Sequence, residues 1–160
     1  MTITVGTNSY VTNLEADTYF GSRPYSSDWT GASETDQDNA LIMATRILDQ
    51  NTFAGTITSV TQALAWPREG FYDQEGRTIA ITDVPQAIKD AQCEMAITIL
   101  RDDPTEDDSN ANVRRLKAGS VEVEYDGRAL IRDLPDFVSA ILKPYLSAAT
   151  SGDSSVRLIP

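Results

Sequence analysis

Apolar residues recur at helical spacing in four stretches of the chain, and these stretches predict its main elements. In the clearest one, Pro85 suits the first helical turn, and apolar residues then follow at spacings of three and four as far as Leu100. Thr12 and Glu15 have the spacing of a capping box at the start of the first stretch. The predicted helices cover about residues 12–21, 33–50, 83–100 and 135–146.

A different periodicity marks residues 121–126. Their sequence, VEVEYD, alternates apolar and acidic side chains, which is typical of a strand with one solvated face. Asp126 and Gly127 then favour a turn. Because a lone strand needs a partner, we expect a small β-hairpin in this part of the chain.

The two tryptophans lie in irregular segments between the predicted helices. We expect Trp29, in the loop covering residues 22–33, to be a hydrophobic plug. Trp66 precedes a proline, which disfavours helical geometry, so we expect its indole to cap the core at a corner of the chain. Trp66 and Arg68 are therefore expected to shape the fold rather than an interface.

The last residues, 147–160, differ in character from the rest. A run of small and polar residues precedes an apolar tip with the sequence VRLIP. A flexible stem with an apolar end favours docking on another surface. We therefore expect a mainly α fold, with one helical domain (residues 1–146), a small β-hairpin and an extended, flexible C-terminal tail (residues 147–160).

The composition excludes several kinds of site. The 160 residues include no histidine and one cysteine, so the chain lacks the base of a Ser-His-Asp triad and the ligands of common zinc sites. Cys93 lies in an apolar helical stretch and is expected to be a packing residue. The acidic run 102–108 lacks the glycine and glutamate of an EF-hand loop, and no two carboxylates stand out as a glycosidase pair. We expect no enzymatic activity, catalytic residue, metal or cofactor.

The charge balance bears on nucleic-acid binding. The chain has 13 basic and 24 acidic residues and a net charge of −11 at pH 7, which repels phosphates unless the cations are concentrated on one face. In one alternative, the basic cluster Arg114, Arg115 and Lys117 joins nearby side chains in a stacking and phosphate-binding surface for single-stranded DNA. Those side chains are Trp66, Arg68, Phe71 and Tyr72. The simpler interpretation of the cluster is a solvated helix end.

Four segments of the sequence carry a family resemblance. They are residues 16–23 (ADTYFGSR), 40–49 (ALIMATRILD), 62–68 (QALAWPR) and 84–94 (VPQAIKDAQCE). Over about residues 5–146, the chain resembles a family of DnaT-like single-stranded DNA-binding proteins found in tailed bacteriophages and prophages. The order of its elements, with a final helix in the sequence LPDFVSAILKPYL, is also similar to that of phage head-tail connector, or adaptor, proteins.

The two resemblances imply different functions, and the negative charge favours the second. A connector ring surrounds the channel through which DNA leaves the phage head, and acidic walls let DNA slide without sticking. We therefore predict a four-helix connector-type domain that acts as a structural head-tail adaptor and assembles as a homo-oligomeric, dodecameric ring. Its expected partners are the portal protein, tail or nozzle proteins, and double-stranded DNA that passes without specific binding. A phage protein that binds single-stranded DNA is the alternative.

The predicted contacts with partners lie in the basic cluster and the apolar tip. They are Arg114, Arg115, Lys117, Val156, Arg157, Leu158 and Ile159. The longest apolar run, residues 40–44, is too short to cross a bilayer, so no membrane partner is expected. The predicted location is the head-tail neck of the virion, after synthesis in the host cytoplasm.

Overall fold

Five α-helices are the main regular elements of the structure, a computed structural model that describes residues 2–72, 76–102 and 134–147 and the backbone of 115–118 and 121–124. The helices are α1 (Asn13–Gly21), α2 (Ser27–Thr30), α3 (Glu34–Leu48), α4 (Gln86–Arg101) and α5 (Asp136–Leu142). A 3₁₀ turn, Lys143–Tyr145, follows α5. The strands are β1 (Thr56–Ile57), β2 (Arg68–Glu69), β3 (Arg115–Ala118) and β4 (Val121–Glu124).

Side-chain caps set the starts of α1 and α3. Thr12 Oγ1 accepts the N–H of Glu15 at 3.1 Å, and the Glu15 carboxylate accepts the N–H of Thr12 at 2.7 Å. The predicted capping box is therefore confirmed. Ser33 caps α3 in the same way, accepting the N–H of Asp36 at 3.2 Å.

The prediction of four helices missed α2. This single turn lies in the segment predicted as a loop, because four residues are too few to show a periodic apolar stripe. Trp29 of α2 is 1% exposed, stacks on Phe20 with 4.6 Å between ring centroids, and donates its indole N–H to Asp17 at 2.8 Å. Trp29 is thus the hydrophobic plug that was expected, and the described chain has five α-helices rather than four.

The expected β-hairpin is present as the antiparallel pair of β3 and β4. Arg115 lies opposite Glu124, and Lys117 lies opposite Glu122. The strand predicted from the alternation VEVEYD is therefore confirmed over Val121–Glu124, and its partner is the segment that precedes it. The predicted turn at residues 126–127 and residues 148–160 of the predicted tail lie outside the described residues.

A polar side chain joins three segments at the centre of the core. Gln92 of α4 is fully buried, and its Oε1 accepts the N–H of Tyr10 at 3.0 Å. Its Nε2 donates to Ser9 Oγ at 2.7 Å and to the carbonyl of Leu41 in α3 at 3.0 Å. Because leaving any of these buried polar groups unpaired would be costly, this carboxamide fixes the N-terminal segment against α3 and α4.

We predict that Gln92→Met lowers stability although it keeps the length of the side chain. The N–H of Tyr10 would be left buried without an acceptor, at a cost of about 1–3 kcal/mol. The midpoint of thermal unfolding should fall by roughly 2–4 °C for each kcal/mol. Gln86→Met, on the exposed first position of the same helix, is the control and should stay within about 0.5 kcal/mol of the parent protein. Equal midpoints for the two variants would contradict the prediction.

Candidate nucleic-acid interface

The aromatic side chains proposed for base stacking are mostly buried. Trp66 is 1% exposed and Phe71 is 8% exposed, and their ring centroids are 4.8 Å apart. Phe53 and Tyr145 pack around the same indole with centroid distances of 5.7 and 5.6 Å. Trp66 and Phe71 are therefore core residues that cannot stack on a base, and only Tyr72, at 67% exposed, remains available from the proposed set.

The guanidinium of Arg68 holds the loop around this aromatic cluster. Its Nε and Nη atoms donate to four backbone carbonyls at distances of 2.7, 2.8, 3.3 and 3.3 Å. The carbonyls belong to Ala54, Gly55, Ala65 and Phe53. Arg68 thus acts as an internal clamp, in agreement with the expectation that it shapes the fold, and four of its five N–H donors are used on backbone carbonyls.

A second arginine is bound by a buried carboxylate. Arg23 forms a two-pronged contact with Glu94 of α4, at 2.6 Å from Nε and 2.9 Å from Nη2. The hydrogen bond to Glu94 raises the pKa of Arg23 above its ordinary value. Tyr19 also donates to Glu94, at 2.7 Å, and burial raises the pKa of its hydroxyl. This group ties α1 and the following loop to α4.

The described helices carry few unpaired cations. Lys89 lies 3.0 Å from a carboxylate oxygen of Glu15, and Arg101 lies 2.9 Å from one of Asp28. Among the side chains that the structure describes, Arg46 and Lys143 are exposed and have no ion-pair partner. These two cations lie on different helical segments, at the end of α3 and directly after α5.

The remaining positive charge is concentrated in one stretch of sequence. Residues 109–132 hold five of the 13 basic residues and three of the 24 acidic ones, so this stretch has a net charge of +2 while the rest of the chain has −13. It contains the hairpin of β3 and β4. The acidic balance of the whole chain therefore hides a local excess of cations.

Two residues of the predicted basic cluster lie in the β-hairpin. Arg115 and Lys117 lie two residues apart in β3, at positions that share one face of a strand. Each lies opposite a glutamate of β4, so neither is a solvated helix end. Arg114 lies outside the described residues. The same holds for the four predicted contacts of the tail, Val156, Arg157, Leu158 and Ile159.

Sequence reasoning missed the most exposed aromatic side chain among the described residues. Tyr25 is 89% exposed and has a positive φ of 58°, which is unusual for a residue other than glycine. Arg23 Nη1 holds this loop by donating to the carbonyls of Pro24 and Tyr25 at 3.1 and 3.0 Å. Phe137, on α5, is also exposed, at 59%.

The described part of the chain contains neither a metal site nor a membrane-spanning helix. No group of three or more His, Cys, Asp or Glu side chains there is arranged to hold a metal ion. No described helix has the length and apolar character needed to cross a membrane. Cys93 is buried, and its burial raises the pKa of the thiol to about 12, so it is the packing residue that was expected.

Comparison with known proteins assigns nearly the whole chain to one family. Residues 2–159 match the model of a family described as "Putative DnaT-like ssDNA binding protein". No curated protein and no solved structure matches the chain.

This match shows that the head-tail connector interpretation is wrong. The error covers the connector-type fold label, the adaptor function, the dodecameric ring, the portal and tail partners, and the passage of double-stranded DNA without specific binding. Its physical cause is the use of the net charge of −11, a sum over the whole chain, to judge a surface that only a few residues form. The match also crosses the boundary between the predicted domain and tail, whose division at residue 146 stays a prediction.

We predict that Arg68→Lys destabilises the protein although it keeps the positive charge. An ammonium group cannot reproduce the forked geometry that satisfies four carbonyls, and we expect a loss of about 1–3 kcal/mol in the free energy of unfolding. Arg46→Lys is the matched control, because Arg46 is exposed and has no ion-pair partner among the described residues. Urea unfolding of both variants measures the difference. If Arg68→Lys is as stable as the control, the clamp does not contribute as we describe.

Proposed function

Because the chain belongs to the family of DnaT-like ssDNA binding proteins, we propose that it binds single-stranded DNA. The family match over residues 2–159 is the observation that carries this proposal. The excess of cations in residues 109–132 supports it, since binding to a nucleic acid begins with contacts between basic side chains and phosphates.

The basic cluster supplies the phosphate contacts in this proposal. Arg114, Arg115 and Lys117 lie within four consecutive positions of the sequence. The backbone of a β-hairpin holds the second and third of them. In the register of the hairpin, Arg115 and Lys117 each have a glutamate as partner, so we expect Arg114 to contribute most per residue.

Exposed aromatic rings supply the contacts with bases. Unpaired bases offer both ring faces to aromatic side chains, whereas the bases of a duplex are stacked on one another. Tyr72 is the one member of the predicted stacking set that the fold leaves in solvent. A binding mode made of phosphate contacts and stacking favours single strands and reads little sequence.

Charge reversal in the basic cluster tests the proposal. The parent protein should bind a fluorescein-labelled oligothymidine more tightly than the non-specific range of about 10⁻⁴–10⁻⁶ M at physiological salt. The double variant Arg114→Glu/Arg115→Glu should bind roughly tenfold more weakly or worse, and the slope of log K against log salt should fall by about 0.7 for each phosphate that the protein no longer neutralises. Fluorescence anisotropy across a salt series measures both quantities.

The control for charge reversal is Arg46→Glu/Lys143→Glu. It changes the net charge by the same amount, at the two described cations that are exposed and have no ion-pair partner. It should keep most of the affinity of the parent protein. An equal loss of affinity in both double variants would mean that the basic cluster is not the interface. Absence of binding by the parent protein even at low salt would reject the function itself.

Substitution of Tyr72 tests base stacking. Tyr72→Ala should weaken binding by about 5- to 150-fold, which corresponds to the roughly 1–3 kcal/mol of a stacked base. The thermal midpoint should change little, because the side chain is 67% exposed. Tyr72→Phe retains the ring and should retain the affinity. If the two variants bind alike, Tyr72 does not stack on a base.

Other expectations about the protein stay predictions. Neither the expected absence of enzymatic activity nor the expected location in the virion is tested by the structure of the described residues. Single-stranded DNA binding requires no turnover, so the proposed function is compatible with a protein that is not an enzyme.

A further inference from the structure

A surface cleft between α2, α3 and the end of α4 has no role in the proposed DNA contacts. It has a volume of about 580 Å³, within the range of roughly 300–1,000 Å³ that accepts a small molecule or a few side chains. Five of its lining residues are apolar. They are Ala32, Ala40, Met43, Ile99 and Leu100.

Two carboxylates line this cleft, and one of them is paired with an arginine. Asp28 and Asp36 line it together with the apolar residues. One oxygen of Asp28 binds Arg101, and one oxygen of Asp36 accepts the hydroxyl of Ser33 at 2.7 Å. Asp36 has no cationic partner among the described side chains. The cleft therefore suits an apolar segment that carries one positive charge, with Asp36 as its counter-charge.

The sequence contains one segment with these properties beyond the last described helix. Residues 156–159, Val-Arg-Leu-Ile, place three apolar side chains around one arginine. We propose that the cleft binds this C-terminal segment of the same chain, through apolar contact with Met43 and charge attraction to Asp36.

The length of the intervening chain supports binding within one molecule. Ser147 donates its N–H to the carbonyl of Thr52 at 2.9 Å, so the described chain ends near the C-terminus of α3. Measured along the axis of α3, Met43 and Asp36 lie five and twelve residues before Leu48, or about 8 and 18 Å at 1.5 Å per residue, and Thr52 follows Leu48 by four residues. Residues 148–155 are small and polar, and they can span up to about 27 Å, with a mean reach near 16 Å.

A tether of this length favours the segment of the same chain over that of a second copy. Short flexible linkers give an effective concentration in the millimolar range when their mean reach matches the distance to be spanned. The C-terminal segment of a second copy would compete only if the protein concentration approached this effective concentration. The C-terminal segment would then cover apolar surface that otherwise faces water.

Cysteine cross-linking tests this proposal without nucleic acid, so the result is independent of DNA binding. In the variant Met43→Cys/Leu158→Cys, oxidised glutathione should produce a disulfide within the monomer. The control is Leu14→Cys/Leu158→Cys. Leu14 is 74% exposed and does not line the cleft. The residue before it, Asn13, contacts Asp38, which lies in the N-terminal half of α3, as Asp36 does. The native Cys93 can stay in place, since its buried thiol has a pKa of about 12.

Non-reducing electrophoresis at micromolar protein separates the outcomes. We expect the monomeric disulfide to form roughly tenfold faster or more at Met43 than at Leu14, because a bound segment is held at the cleft. Addition of Arg157→Glu should slow the reaction at Met43 and leave that at Leu14 unchanged. Equal rates at the two sites would overturn the proposal. A disulfide found mainly in dimers would also overturn it, in favour of a second copy.

Discussion

The buried carboxamide of Gln92 is the constraint on which the rest of the structure depends. From its position in α4 it forms hydrogen bonds with the N-terminal segment and with α3, and the side chain is fully buried. The segment that it fixes includes Tyr10, whose hydroxyl donates to Asp49 at the end of α3. The other oxygen of Asp49 accepts the N–H of Ala65 at 3.0 Å, and burial raises the pKa of this carboxyl. A polar chain therefore connects the centre of the core with the loop that precedes β2.

Two arginines also join separate segments by hydrogen bonds, farther from the centre of the core. Arg68 binds the carbonyls of the loop that this chain reaches, and Arg23 binds Glu94, two positions along α4 from Gln92. Each of these guanidinium groups uses four of its five N–H donors within the fold, so little hydrogen-bonding capacity is left for a ligand. These two arginines therefore serve mainly to hold the fold together. A ligand with phosphates is left with cations from outside the helical core, and residues 109–132 are the stretch of sequence that is rich in them.

Local signals in the sequence were sufficient to predict the helices that have caps and periodic stripes. The capping box of α1 and the stripes of α3 and α4 depend on residues at most four positions apart. The turn α2 depends on the contact of Trp29 with Phe20, and the clamp of Arg68 depends on carbonyls up to 15 residues away. Neither contact leaves a local pattern. The partner of β4 was also not located: RLKA of β3 alternates polar and apolar residues as VEVE does, but its cations were interpreted as a solvated helix end.

The candidate site was harder to predict because burial and net charge act at different scales. A pattern of aromatic and basic residues around Trp66 and Arg68 resembles a stacking surface until the fold shows that both side chains face inward. The net charge of the chain has the opposite effect, because it argues against DNA binding. At physiological ionic strength, charges more than about 8 Å apart are largely screened, so a bound phosphate responds mainly to its immediate neighbours. The −13 carried by the rest of the chain opposes approach from a distance at low salt, but it does not prevent a close contact with cations in residues 109–132. The carboxylate of Asp36 in the cleft and the excess of cations in residues 109–132 are thus features of one chain, and the two proposed sites would take ligands of opposite charge.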